Sequence, residues 1–156
     1  MTKPVAYIEK TRRFYEAQGF DQAYEYASYD DVPFTQPVKP LSRSKVGLVT
    51  TASTYHRADL EPRKVNKGSA EVIPSWLFTD DLSWDKDATH TDDVNSFCPI
   101  TSLQTLESKG VVGSIAEHFV CAPTEYSKRS TIDHDAGEIL SILQQDEVDI
   151  AVLVPL

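Results

Sequence analysis

One juncture near the end of the chain constrains the fold most. An amphipathic stretch, from Ser130 or Asp133 to Gln145, runs directly into an apolar run, Val148 to Leu153, rich in Val and Ile with a single Asp after its first residue. Ile132, Ala136, Ile139, Leu140 and Leu143 recur at helical spacing and give that stretch one apolar face. The run after it shows no polar side to water and reads as a buried strand. "KVGLVTT", with Val46, Leu48 and Val49, reads as the first core strand. Strands alternating with helices favour an α/β layer architecture, here a flavodoxin-like three-layer sandwich with a mainly parallel sheet.

The rest of the chain fits around that core. Residues 4–18 read as a helix, with Pro4 in the first turn and Gly19 as the left-handed stop. The prolines at 33, 37 and 40 then remove backbone donors and favour an extended arm. "AEVIPSW" is a weaker strand candidate, stopped or edged by Pro74, and an Asp-rich, loop-like segment covers residues 79–95. "PITSLQTLESKG" reads as a short helix with Thr101 as its cap and Gly110 as its stop. "VVGSIAEHFVCAP" gives one more strand, broken early by Gly113 and ended by Pro123. The 156 residues form a single α/β domain on this reading, with residues 1–44 as helix and arm and residues 45–156 as core.

Charge excludes some functions. A net charge of −9 repels phosphate backbones and anionic lipid, so neither nucleic acid nor a membrane is an expected partner. The basic cluster Lys10, Arg12 and Arg13 reads as a solvated helix face. The start of the chain is too charged for a signal peptide, which places the protein in the cytoplasm. Cys98 and Cys121 lack CxxC spacing and offer neither a zinc signature nor a disulfide framework.

Chemistry in α/β sheets sits beyond the carboxyl ends of parallel strands. The loop "TTASTYH" lies there and offers Thr50, Thr51, Ser53, Thr54, Tyr55 and His56: hydroxyls and amides to hold a carboxylate or phosphate, and an imidazole to exchange a proton. The competing reading is a polar surface turn. "HTDDVN" with Cys98 resembles a handful of metal ligands, but it lacks the spacing, the central Gly and the terminal Glu of a calcium loop. Cys121 and His118 are three apart, so a strand sends them to opposite faces, and Cys121 reads as a structural thiol. His134, between Asp133 and Asp135, reads as solvent-facing. No Walker loop, GxGxxG or GxSxG elbow occurs.

Five segments, "YIEKTRRFYEAQGF", "YDDVPFTQPVKPLSRSKVGLVTTA", "EVIPS", "DDVNSFCPI" and "KGVVGSIAEHF", together resemble the glycine/sarcosine/betaine/D-proline reductase component B family, whose reference members are selenoproteins. The resemblance implies reductive carbon–nitrogen cleavage of small amino-acid-like substrates by a selenocysteine or cysteine, in a complex with partner subunits. It places the nucleophile at residue 157 or just beyond, so this form lacks it. Either a selenocysteine codon has been read as a stop, or the domain is a variant without that segment. Glu71 stands where the family pattern has an Arg before "VIP", which removes a carboxylate clamp. Cys98 stands where an aromatic is usual, which implies a core role.

The leading expectation is therefore a component B-like reductase domain. Thr50 and Thr51 would bind a polar substrate group, His56 would serve as proton donor or ligand, and Asp93 and Asn95 would lie nearby. No cofactor is assigned. Apolar sheet surface left bare beside the last strand implies a homo-oligomer or a partner reductase subunit. Two other readings stay open: a non-redox interaction or regulatory subunit, and a metal-dependent enzyme using His56, His90 or His118.

Overall fold

A computed structural model describes residues 6–20, 28–56, 64–79, 90–123 and 127–156. The chain divides into two units, residues 1–34 and 35–156. The first contains helix α1, Tyr7–Ala17. Gly19, at φ 82°, ends it: its N–H donates to Glu16 O and that of Phe20 to Tyr15 O, with the Phe20 and Tyr15 rings edge to face at 5.6 Å. This is the Schellman arrangement, in which a left-handed residue turns the chain back to satisfy carbonyls the helix leaves open. Arg13 pairs with Glu9 on the solvent side, as expected of a solvated basic face. Pro4 and residues 21–27 lie outside the described residues.

The second unit holds a four-stranded sheet in the order β2-β3-β1-β4. Strand β1 is Lys45–Thr50, β2 Asn66–Ser69, β3 Ser114–Cys121 and β4 Ile150–Val154. β1 runs parallel to both β3 and β4, while β2 is antiparallel to β3. β1, paired on both sides, is buried from Val46 to Thr50, which its short apolar run of Val46, Leu48 and Val49 anticipates.

Adjacent residues of β1 face opposite sides of the sheet and seed two cores. Leu48 packs with Phe119, Phe97 and Ile100, the last opening helix α2, Ile100–Ser108. Val49 packs with Val120 and Leu143, the last on helix α4, Ala136–Gln145. Helices thus cover both faces of a mostly parallel sheet.

Several sequence expectations need correction. Residues 70–76 form no strand; β2 lies just upstream, and its ladder ends with Ala70 N–H donating to Glu117 O, where β3 turns irregular. Thr101 does not cap α2. Pro99 takes that position, where its missing N–H costs the helix nothing, and Thr101 O accepts the Thr105 hydroxyl inside the helix.

The amphipathic stretch near the end is not one regular helix. A short α3, Lys128–Ser130, passes through a π turn, Thr131–Asp135, into α4. The wider π turn rotates the residues before it relative to those after, so one 3.6-residue face cannot run through it. Ile132 and Leu140, assigned to the apolar face, are 56% and 54% exposed, Ala136 is also exposed, and Ile139, Ile142 and Leu143 make the contact. Asp135 is buried instead.

The last strand is not buried on both sides. β4 is an edge strand whose Ala151 and Leu153 are exposed while Val152 and Val154 pack inward. The Asp in its apolar run has a structural task. Asp149 accepts Lys45 N–H at 3.0 Å and Lys39 Nζ at 2.8 Å, and its own N–H donates to Lys45 O, which registers β4 on β1.

Candidate functional site

The loops at the carboxyl ends of β1 and β4 meet. Leu156 N–H donates to Thr51 Oγ1 at 2.9 Å, so the chain leaving β4 crosses directly to the loop leaving β1. The loop itself is tightly tied. Ala52 N–H donates to Thr50 Oγ1, Ser53 N–H to Phe78 O, Thr54 N–H to Asn66 Oδ1 and Tyr55 N–H to Ser53 Oγ. Asn66, at the start of β2, completes the clamp: its Oδ1 also accepts the Thr54 hydroxyl at 2.8 Å, and its Nδ2 donates to Ser53 Oγ.

That network corrects one expectation. The four amides from Ala52 to Tyr55 serve the loop's own side chains, β2 and residue 78, and so do not stand open to an anion. Short hydroxyl side chains bond nearby backbone readily, which is how a hydroxyl-rich loop consumes its own donors.

Thr50 is 1% exposed, and its hydroxyl supports the turn from inside the core. Thr51 is half-buried against Leu156. His56 is exposed, with its ring edge-on to Phe78 at 5.4 Å; Phe78 meets Trp76 at 4.1 Å. Ser53 and Phe78 form an antiparallel bridge, and the hydroxyls of Thr79 and Thr91 lie 2.9 Å apart, tying this segment to the one that carries Asp93.

Asp93 caps the 3-10 turn Val94–Ser96, accepting Asn95 N–H. Asn95 Nδ2 donates to Ser102 Oγ on α2, so Asn95 braces the start of that helix. Between them Val94 packs into the cluster that holds Ala52 and Leu77. The fold thereby gathers the β1 loop, residues 77–79 and residues 91–95 around one end of the sheet. Asn66, Phe78 and Trp76 carry this arrangement, and the sequence contains no motif that marks them.

Neither described thiol is a nucleophile. Cys98 and Cys121 are buried in the core, and burial pushes both up to about 12, opposed at Cys121 by a backbone hydrogen bond from Thr54. His90 and Asp92 pair at 3.4 Å at the surface while Cys98 is buried, so the "HTDDVN" group and Cys98 do not form a ligand set. His134 is exposed, as expected.

In open α/β sheets, ligands commonly bind beyond the carboxyl ends of the parallel strands, which is the end where these loops converge. Among known proteins, the chain is similar to the glycine reductase complex component B subunit gamma of Symbiobacterium thermophilum, with 25% identity across 94% of this chain and 36% of that protein. The chain spans about a third of the length of that curated relative. This similarity supports a distant relationship to a reductase-related family. No family model matches the chain, and no solved structure matches it. No helix among the described residues is long and apolar enough to cross a membrane.

Proposed function

We propose that this chain is a component B-like domain of a reductase assembly, handling a small amino-acid-like substrate at the carboxyl ends of β1 and β4. The distant relationship along nearly the whole chain is the observation that carries this reading. Its parallel strands lie in the order second, first, third, which supports a flavodoxin-like arrangement with its switch point between β1 and β4. Thr51, His56, Asp93 and Asn95 line the crevice, with Thr50 shaping the turn beneath. His56 donates a proton or holds a polar substrate group. Reductive carbon–nitrogen cleavage requires a selenol or thiol, and the described thiols are buried. The nucleophile is therefore carried by a partner subunit or by chain continuing beyond Leu156, whose N–H already touches Thr51.

Titration of isotopically labelled protein with glycine and its N-methylated forms tests the crevice. Saturable shifts at Thr51, His56, Asp93 and Asn95 are expected; unchanged spectra at millimolar ligand reject it. The exposed Ala151 and Leu153 on β4 favour a second reading, a non-redox interaction subunit. Under that reading the native protein purifies with a stable partner and binds none of these ligands.

A further inference from the structure

We propose that Glu117, His118 and Asp146 form a site for a first-row divalent cation, tying β3 to the end of α4. The site is independent of the crevice and of the reductase reading. One ligand atom from each residue lies within 4.8 Å of the others. Neighbours in a regular strand point to opposite faces, so Glu117 and His118 would not share a ligand. The irregularity of β3 removes that obstacle. Val46 pairs with Ile115, but Leu48 pairs with Phe119, so β3 carries extra residues between these positions and can re-aim its side chains there.

The charge balance points to a cation. Asp146 is the C-terminal cap of α4, where the helix dipole presents its negative end, and the last turn of α4 contains no basic residue. A carboxylate there has the wrong sign for its position. It accepts His118 N–H at 2.9 Å and faces His118 Nδ1 at 3.0 Å, with the Asp146 side chain 8% exposed. Glu117 is exposed and brings a second carboxylate to the same point from the solvent side. Two carboxylates and one imidazole are the donors that zinc and its first-row neighbours accept, whereas magnesium and calcium prefer oxygen alone. Three protein ligands leave a coordination position open to water.

The test is equilibrium dialysis of the metal-stripped chain against Zn2+, with Co2+ as a visible-absorption probe and Mg2+ as a control. One Zn2+ per chain is expected, and Glu117→Gln and His118→Gln should each weaken binding by about tenfold or more. His134→Gln should leave it unchanged. The Co2+ absorption bands should vanish with His118→Gln. Glu117 lies at the surface, so its replacement reads binding without disturbing the fold. No bound Zn2+, or binding that survives both Glu117→Gln and His118→Gln, overturns the site.

Discussion

The loop after β1 and the junction of β3 with α4 both collect polar side chains against the sheet, and they treat that polarity in opposite ways. In the loop, Ala52, Ser53, Thr54 and Tyr55 donate their amides inward, and Asn66 answers two of the hydroxyl side chains. At the junction, Asp146 and Glu117 bring two carboxylates around one imidazole at the negative end of a helix. The first region satisfies itself, and the second has acceptors in excess. A hydroxyl-rich stretch in sequence therefore marks local hydrogen bonding as readily as ligand binding. A ligand set instead arises from residues 28 positions apart, joined by a strand irregularity.

The contrast can be broken most forcefully at Gly68. A Cβ there would meet the buried Phe119 ring and press on the Thr54 methyl, so Gly68→Ala should cost up to about 3 kcal/mol in chemical denaturation. Asn66→Ala strips the loop clamp and removes the side-chain oxygen that accepts both the Thr54 N–H and the Thr54 hydroxyl; a loss of about 2 kcal/mol is expected, with faster amide exchange from Ala52 to Tyr55. Little effect on either amide exchange or stability would show that the loop is not self-satisfied.

On the other side, Glu147 is the one described residue other than glycine at positive φ, 56°, at the end of α4. Glu147→Gly should raise stability by about 1 kcal/mol, because glycine adopts this conformation without a Cβ clash. A melting temperature that stays level or falls would show that the Glu147 contact with Lys45, 3.5 Å, matters more than the strain.

Two pH effects are expected. Cys98 and Cys121 have folded values raised from 9.0 to about 12, so their protonated form is favoured by folding. That contribution is complete below about pH 9 and is lost as pH rises toward 12; native thiols should resist disulfide reagents that modify both after denaturation. Asp149 is held below its usual range, first by the hydrogen bond from Lys39 and then by Lys45 N–H. Its contribution is present above the ordinary carboxylate range and disappears as pH falls through the lowered value. Lys39→Met should raise the Asp149 value in an NMR titration, with only a small change in stability because the pair is solvent-exposed.

Gly19 and Gly110 show what a sequence can announce. Both are left-handed residues that follow a helix, and at Gly110 the backbone repeats the same closing pair, with Gly110 N–H to Glu107 O and Val111 N–H to Leu106 O. Glu147 closes α4 in the same way, with its N–H to Gln144 O and Val148 N–H to Leu143 O, yet nothing in its residue type advertises it. Likewise the central strand was legible from Val46, Leu48 and Val49, since burial on both faces leaves no polar alternation. The face of α4 was not, because the π turn shifts the helical phase within the stretch.

By itself the sequence determined the elements with local causes: strand β1 from its short apolar run, the helix stops at Gly19 and Gly110 from their glycines, and a structural role for Cys121 from its place in a strand. Tertiary structure alone decided which polar groups remain open, because that depends on partners distant along the chain. Asn66 reaches back to Thr54, Leu156 to Thr51, and Asp146 to His118, and no spacing in the sequence brings these pairs together.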